Sequence, residues 1–217
     1  MQLFEKYRPA TWDEVLGQDK IVKRLRKMSE TCGLVGQVYW LSGKSGQGKT
    51  TIAKLIAAEV ADPFNVQEFD GSKLTPAGVD EMERNMRLHG MPFTTGKTGR
   101  AYIINEAHRL RPDVITRLEV LCEPMPEHCV IIFTTTVEGQ LEFFDKLDAK
   151  PFLSRCIKFS LAQRGICELF AQRVHEIATE EGLNGQPVSE YEKLAKRCRN
   201  NMREMLQAVQ ACEMLTE

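Results

Sequence analysis

The chain has 217 residues, a hydrophobic fraction of 42%, a charged fraction of 27% and a formal net charge of −1 at pH 7. This composition is typical of an ordinary globular protein. The chain is long enough to bury a core in one or two domains. The 29 basic and 30 acidic side chains nearly cancel, which excludes recruitment of nucleic acid by bulk charge and leaves only a local basic face for that purpose.

The N-terminal segment and the cysteines bear on where the protein works. The first 15 residues, MQLFEKYRPATWDEV, lack the apolar segment that a signal peptide contains. No stretch of the sequence reaches the roughly 18 apolar residues that a membrane helix needs. The seven cysteines are scattered and form no CxxC pair, which favours reduced thiols over a zinc site or a disulfide framework. We therefore expect a cytoplasmic location and no membrane partner.

The first half of the chain alternates between helical and extended patterns. Residues 19–31 place Ile21, Val22, Leu25 and Met28 on one helical face. The apolar runs 38–42 and 66–70 predict buried strands, and 50–60 predicts a helix between them. Thr75 as cap and Pro76 at the first position predict that the next helix, 76–88, begins there.

The second half continues this alternation and then changes. Residues 91–99 predict an exposed loop or ribbon, 100–105 and 130–135 predict strands, and 112–122 predicts a helix. After Phe159 the sequence predicts only helices, over 163–181, 189–199 and 202–215. We therefore expect an α/β domain with a parallel sheet flanked by helices over 1–161, and a small all-helical lid domain over 162–217.

The phosphate loop, residues 43–50, carries the most specific motif of the chain. GKSGQGKT fits G-x-x-x-x-G-K-[ST], between a predicted strand and a predicted helix. Glycines allow backbone N–H groups to surround phosphate oxygens, and the helix N-terminus adds partial positive charge. Lys49 is expected to reach the β- and γ-phosphates, and the Thr50 hydroxyl to coordinate Mg²⁺. The residues predicted to hold the nucleotide here are Gly43, Ser45, Gly46, Gln47, Gly48, Lys49, Thr50 and Thr51.

A second motif, AYIINEAH at residues 101–108, consists of the end of a predicted strand followed by the acidic residue Glu106. Glu106 is placed to polarise an attacking water, as a general base. Asn105 stands where an aspartate usually helps to hold Mg²⁺, so it keeps an acceptor oxygen but loses the charge. Two interpretations stay open: slow hydrolysis, or a subunit that binds ATP with negligible hydrolysis.

At the N-terminus, EKYRP followed by WDEVLGQ resembles the first box of clamp-loader AAA+ subunits, namely replication factor C small subunits and the bacterial gamma/tau subunit. The resemblance covers residues 3–215. It implies an AAA+ P-loop ATPase that binds ATP and Mg²⁺ and loads a sliding clamp onto primed DNA. In that family this segment surrounds the adenine, which assigns base contacts to Tyr7, Arg8, Pro9, Val15 and Gln18.

Further motifs follow in the order of the family. By resemblance, Thr136 is the sensor 1 residue that detects the γ-phosphate, and Arg203, in the run Asn201-Met202-Arg203, reaches it from the lid as sensor 2. Ser154-Arg155-Cys156 matches the Ser-Arg-Cys signature, so Arg155 is an arginine finger for a neighbouring subunit's ATP. A guanidinium suits that role because it stabilises charge that develops on the transferred phosphoryl group.

The resemblance also implies partners: other clamp-loader subunits, a sliding clamp and primed DNA. Arg109, Arg111 and Arg117 flank the region that lines the central chamber of clamp loaders, where backbone phosphates are contacted without regard to sequence. An ordinary solvated basic face is the alternative. The family's four-cysteine insertion and the collar domain after the lid are absent from this sequence.

Three hypotheses remain at this point. The chain is an active clamp-loader ATPase subunit, a hydrolysis-deficient ATP-binding scaffold subunit, or a motor of the branch-migration helicase type. Two features favour the clamp loader: the Ser-Arg-Cys signature, and the turn Glu-Pro-x-Pro-Glu-His at 123–128, which is similar to a turn of the bacterial subunits.

Overall fold

The computed structural model describes residues 1–123, 125–139, 150–162 and 164–215. The strands are β1 (Gln37–Ser42), β2 (Ala61–Asp70), β3 (Gly99–Asn105), β4 (Cys129–Thr135) and β5 (Ile157–Ser160). The α-helices are α1 (Leu3–Lys6), α2 (Asp19–Thr31), α3 (Lys49–Val60), α4 (Pro76–Met86), α5 (Pro112–Cys122), α6 (Lys150–Ser154), α7 (Cys167–Glu180), α8 (Val188–Arg197) and α9 (Met202–Gln210). None of the helices in these ranges combines the length and apolar character that crossing a bilayer requires.

The five strands form one parallel sheet in the order β2–β3–β4–β1–β5. Every residue of the central strand β4 is buried, as expected for a strand covered on both faces. The order places β1 between β4 and β5, so the carboxyl ends of β1, β3 and β4 lie together. The predicted parallel α/β sheet is confirmed, and its carboxyl edge is where the candidate site lies.

Alternate residues of β1 serve two cores. Val38 and Trp40 pack with α4 and α5 on one face of the sheet, whereas Tyr39 and Leu41 pack with α2 and α3 on the other. This division follows from the two-residue period of a strand. Trp40 lies edge-on to Phe152 with ring centroids 6.0 Å apart, which ties α6 to the first of these cores.

The helices α7–α9 follow the sheet and share a third core, which also includes Leu3 of α1. The short N-terminal helix therefore packs on the helical part of the chain. Leu3 N–H donates to Gln210 Oε1 at 3.2 Å, and Lys6 Nζ contacts Glu181 Oε1 at 2.5 Å. The N-terminal helix therefore contacts the predicted lid, at Glu181 and at Gln210.

Several predicted boundaries were wrong. The strand predicted at 66–70 begins at Ala61: Asp62, Pro63 and Asn65 indicated a loop, but an edge strand tolerates proline and a register shift. β5 and α1 were missed because each has only four residues, and α6 was missed because it has only five. The helices predicted at 76–88, 163–181, 189–199 and 202–215 are each shorter at their C-terminal ends.

The loop at 91–97 is exposed, as predicted, and Asp62 holds it. The Asp62 carboxylate accepts from Thr94 N–H at 2.6 Å and from Thr95 N–H at 2.9 Å. Burial opposes the charge of this carboxylate, but the hydrogen bonds from Thr95, Thr94 and Phe64 hold its pKa below the usual value. The rings of Phe64 and Phe93 lie tilted against each other, with centroids 5.1 Å apart, and both remain exposed. A buried carboxylate therefore fixes a loop that presents apolar side chains.

Candidate functional site

The phosphate loop joins the end of β1 to the start of α3, as predicted. Gly46 and Gly48 have φ values of +71° and +92°, a conformation that L side chains rarely adopt. No described side chain caps α3, so its first N–H groups point out of the helix without an intrahelical acceptor. The Gln47 amide nitrogen is buried and likewise lacks an acceptor among the residues that the structure describes. This arrangement of free donors fits an anion.

Lys49 is buried at the base of the loop, with 8% of its surface exposed. Its ammonium donates to the carbonyl of Gly43 at 2.9 Å and to that of Lys44 at 2.8 Å. Burial lowers the pKa of this ammonium, and the carboxylate of Glu106 acts in the opposite direction. The cation is therefore held within the loop by neutral carbonyls, which a phosphate oxygen can replace.

The last helix of the predicted lid contacts the loop directly. Met202 N–H donates to the carbonyl of Gly46 at 3.3 Å. A Cβ atom on Gly46 would lie 1.7 Å from Asn201 Oδ1, so only glycine fits here. Asn201 also caps α9 by accepting from Glu204 N–H, and Arg203 follows in the first turn, where it lines the cleft. The position of α9 thus depends on the phosphate loop.

An open cleft lies between the N-terminal segment, the phosphate loop, the end of β3 and the helices α7 and α9. Its lining has a cationic part and an apolar part. The cations are Arg8, Lys49, Arg173 and Arg203, against the two carboxylates Glu14 and Glu106. The apolar lining consists of Phe4, Tyr7, Pro9, Val15, Leu16, Phe170, Ile177, Met202 and Leu206. An excess of cations beside an apolar wall suits a ligand with an anionic tail and a flat apolar ring.

The N-terminal residues are held by ion pairs and hydrogen bonds. Arg8 pairs with Glu5 at 2.5 Å and donates to Thr51 Oγ1 at 3.4 Å. The hydrogen bond with Arg8 lowers the pKa of Glu5. The Tyr7 hydroxyl bonds to Glu181 at 2.5 Å, and this bond raises the pKa of Tyr7. These contacts orient the segment against α3 and α7.

Three oxygens meet beside the phosphate loop, and we call Thr50, Asn105 and Thr134 the metal side of the cleft. Asn105 Oδ1 accepts from Thr134 Oγ1 at 2.9 Å and from Thr50 Oγ1 at 3.5 Å. Magnesium prefers oxygen ligands and usually binds through few protein groups plus phosphates and water. The described residues include no cluster of three or more His, Cys, Asp or Glu side chains that could hold a metal by themselves. The metal side therefore fits Mg²⁺ that arrives with a phosphate ligand.

Glu106 lines the cleft next to the metal side. It has a φ of 53°, an uncommon value for a non-glycine residue and one that is found at functional turns. Its carboxylate lies 3.4 Å from His108 Nε2, and His108 Nδ1 is 3.2 Å from Thr135 Oγ1. His108 is thus placed to orient the Glu106 carboxylate.

Most of the predicted ligand-binding residues line this cleft, and five do not. The lining includes Tyr7, Arg8, Pro9, Val15, Ser45, Gly46, Gln47, Gly48, Lys49, Thr50, Thr51, Glu106 and Arg203. Gln18 instead exchanges two hydrogen bonds with the backbone of Ala162, Gly43 packs closely against Leu161, and Thr136 accepts from Gly139 N–H at 3.0 Å. Thr134, two residues before Thr136, lines the cleft in its place.

Asn105 and Arg155 are the other two residues outside the lining. Asn105 lies behind Thr50, at the metal side. Arg155 follows α6 and lies near the end of α5, where it contacts Glu123 Oε2 at 3.3 Å and the carbonyl of Pro151 at 2.7 Å. Its Nε is buried without an acceptor among the described residues. Arg155 therefore does not serve the cleft of its own chain in this structure.

The three arginines predicted to face DNA differ in their surroundings. Arg117 bridges α5 to α4 through Asp80 at 2.6 Å and Glu83, so two carboxylates neutralise its charge. Arg111 pairs with Asp113 at 3.0 Å, whereas Arg109 is exposed. Of the three, Arg117 is the least suited to a phosphate contact.

Several residues that line the cleft could not be identified from the sequence. Phe170, Arg173 and Ile177 lie on one face of α7, at helical spacing that predicts only an amphipathic helix. Phe4 precedes the N-terminal motif, whereas Glu14 and Leu16 lie within WDEVLGQ but had no predicted contact with the nucleotide. The remaining missed residues are Thr134, Met202 and Leu206.

Comparison with known proteins places this site in a family. The sequence profile of the "ATPase family associated with various cellular activities (AAA)" matches residues 39–157. A DNA polymerase III subunit gamma/tau from Mycoplasma pneumoniae is 29% identical over 83% of this chain and 28% of its own length. The subunit tau of Bacillus subtilis is 28% identical over 94% of this chain and 38% of its own.

An archaeal relative and two solved structures extend the comparison. The replication factor C small subunit of Methanosphaera stadtmanae is 26% identical over 95% of this chain and 61% of its own. The chain therefore spans less than two thirds of these relatives. The RuvB branch migration motor of Thermotoga maritima superposes with a TM-score of 0.69 at 23% identity, covering 94% of this chain and 64% of that one. A gamma subunit-related protein of the same organism gives 0.55 at 15% identity, with 88% and 58% covered.

These structural likenesses concern the fold alone, whereas the sequence profile spans the phosphate loop, the metal side and Arg155. The chain belongs to the AAA family of ATPases.

Proposed function

We propose that this chain is an ATP-binding AAA+ subunit of a clamp loader, which couples ATP binding and hydrolysis to the loading of a sliding clamp onto primed DNA. The observation that carries the proposal is the cleft itself, which joins the phosphate loop to the N-terminal segment and to Arg203 of α9. The sequence relatives named as DNA polymerase III gamma/tau and replication factor C small subunits support the replication role. A cytoplasmic site of action belongs to the proposal.

ATP would lie with its base on the apolar lining and its phosphates on the phosphate loop. Lys49 would exchange its bonds to the Gly43 and Lys44 carbonyls for phosphate oxygens, and Arg203 would approach the γ-phosphate from α9. Adenine would contact Tyr7, Pro9 and Val15. The division between residues 1–161 and the helical lid 162–217 then lets ATP tie the two parts together, as the Gly46–Met202 hydrogen bond already does.

Hydrolysis would require Mg²⁺, which supplies charge stabilisation for the transferred phosphoryl group. Thr50 and Asn105 would hold it, directly or through water. Glu106, oriented by His108, would take the proton of the attacking water. Because Asn105 carries no charge, we propose slow turnover, and sensing of the γ-phosphate by Thr136 or by Thr134.

Arg155 would contact the ATP that is bound to a neighbouring subunit. In this structure Arg155 lies outside its own cleft, and among the residues that the structure describes it pairs with one carboxylate, that of the exposed Glu123. Such an arginine can leave its partner at little cost, because exposed ion pairs contribute about 0–1 kcal/mol. Contacts with the DNA backbone are assigned to Arg109 and Arg111, with Arg117 least suited.

The proposal is tested by measuring ATP binding by calorimetry and ATP turnover in the assembled complex. We expect the chain to bind ATP, and turnover to rise when clamp and primed DNA are added. Arg155→Ala should leave ATP binding of the isolated chain unchanged and reduce turnover of the complex by about 10³-fold or more. Lys158→Ala, an exposed cation on β5, is the matched control.

Two outcomes would contradict the proposal. Failure to bind ATP would remove the nucleotide role, and binding without any response to clamp and primed DNA would remove the clamp-loading role. The neutral Asn105 supports one alternative, an ATP-binding scaffold subunit with negligible hydrolysis. A complex whose turnover is unaffected by Glu106→Gln in this subunit would favour that alternative.

A further inference from the structure

Asn105 has a second neighbour on the side away from the phosphate loop. Its amide nitrogen donates to Glu68 Oε1 at 2.6 Å, while its amide oxygen accepts from Thr134 and Thr50. The other oxygen of Glu68 lies 3.4 Å from Lys54 Nζ on α3. The Glu68 carboxylate therefore contacts Asn105 on one side and Lys54 on the other.

The chemistry of these neighbours determines which way the amide of Asn105 faces. An ionised carboxylate only accepts hydrogen bonds, so Glu68 requires the nitrogen of Asn105 to face it. The hydroxyls of Thr50 and Thr134 are free to donate, so they accommodate the oxygen. The reverse orientation would place the amide oxygen against the Glu68 carboxylate and leave both without a donor.

The sheet provides this contact through its register. Asn105 pairs with Asp70 on the neighbouring strand β2, and Glu68 lies two residues earlier, on the same face. Asp70 instead turns its Oδ1 to Ser72, from whose N–H and hydroxyl it accepts at 2.8 and 2.6 Å. Glu68 is therefore the acid that Asn105 contacts.

We propose that Glu68 is a positioning residue that fixes the amide of Asn105 so that its oxygen faces Thr50 and the magnesium ion. The inference rests on the proposed binding of Mg–ATP and deepens it. The negative charge that an aspartate would carry at position 105 is found one side chain away, on Glu68, where Lys54 balances part of it. An aspartate at 105 would stand against the Glu68 carboxylate, and like charges at this separation oppose each other.

Glu68→Ala removes the acceptor that holds the amide. We expect the Mg²⁺ concentration for half-maximal binding of a fluorescent ATP analogue to rise by about threefold to tenfold, the size of one hydrogen bond. Binding of the same analogue in EDTA should not change, because the phosphate loop is untouched. Glu68→Gln, which keeps an acceptor oxygen, should restore most of the Mg²⁺ response.

A double-mutant cycle separates positioning from simple charge. In the Asn105→Asp background position 105 has two oxygens and no amide to orient, so Glu68→Ala should no longer raise the Mg²⁺ requirement. If Glu68 acted only by its charge, or only by stabilising the fold, the rise would be the same in both backgrounds. Glu81→Ala is the matched control, because Glu81 lines the same shallow groove as Glu68 without touching Asn105.

Two results would overturn the inference: an unchanged Mg²⁺ requirement in Glu68→Ala, or an equal rise in both backgrounds. Failure of the unsubstituted chain to bind the analogue even in EDTA is a different result. It would contradict the proposed ATP binding, and the inference would fall with it. Melting temperatures of all variants show whether each one folds.

Discussion

The phosphate loop and the metal side of the cleft are built in different ways. The phosphate loop is contiguous in sequence, residues 43–50, and its donors are backbone N–H groups that one turn between β1 and α3 presents. The metal side draws Thr50, Asn105 and Thr134 from α3, β3 and β4, and its amide is oriented from a fourth element, β2. A substitution at Asn105 is therefore expected to change the metal side without changing the loop. The comparison suggests that binding and hydrolysis can be separated by mutation.

The largest effect on ATP affinity is expected from Lys49→Ala, at the base of the phosphate loop. Removing a buried cation that would contact phosphate should cost about 2–5 kcal/mol of binding, which corresponds to roughly 30-fold or more in ATP affinity. Lys44→Ala is the control, since Lys44 lies in the same loop but is exposed. Calorimetry measures the ATP affinity of both variants, and an equal loss of affinity in the two would contradict the role of Lys49.

A large effect on turnover alone is expected from Glu106→Gln, next to the metal side. Loss of a general base reduces turnover by about 10²–10⁴-fold, and ATP affinity should be retained because the phosphate loop is intact. Steady-state ATPase rates of the assembled complex, together with calorimetry of the isolated chain, measure the two quantities. Glu30→Gln on α2 serves as control. A parallel loss of affinity would mean that the two regions are not separable.

The smallest effect is expected from Asn201→Ala, where α9 meets the phosphate loop. Loss of an N-cap costs about 0.5–2 kcal/mol, so thermal unfolding should shift by a few degrees, about 2–4 °C per kcal/mol. ATP affinity should also fall, since the cap positions the helix that carries Arg203. Thr75→Ala removes the cap of α4, which accepts from Gly78 N–H at 3.2 Å, and should lower stability without lowering affinity. The same affinity in both variants would argue against coupling through Asn201.

Much of the fold could be predicted because its signals are local. The boundaries of α2 and α5 and the positions of β1, β3 and β4 follow from apolar periodicity and from caps. The elements that were missed or mispredicted had weak local signals: β5 is four residues long, and β2 begins with polar residues and a proline. In those segments pairing with a neighbouring strand, which is a tertiary interaction, decides the conformation.

The candidate site divides in the same way. Lys49, Thr50 and Glu106 could be named from the sequence because a motif fixes their spacing and their backbone. Thr134, Phe170 and Arg173 could not be, because they reach the cleft only through the packing of β4 and α7 around it. Resemblance to a family placed Thr136 at the γ-phosphate, whereas the hydroxyl that lines the cleft here is that of Thr134.

By itself, the sequence determined the phosphate-binding chemistry, the parallel α/β architecture and the helical part that follows it, because glycine turns, caps and apolar periods act over a few residues. Only the tertiary structure decided which side chain of β4 faces the cleft and that the amide of Asn105 donates to Glu68. These features depend on strand register, in which a shift of one residue turns a side chain to the opposite face of the sheet. Register is set by the packing of the whole sheet, so it cannot be predicted from the residue type at any single position.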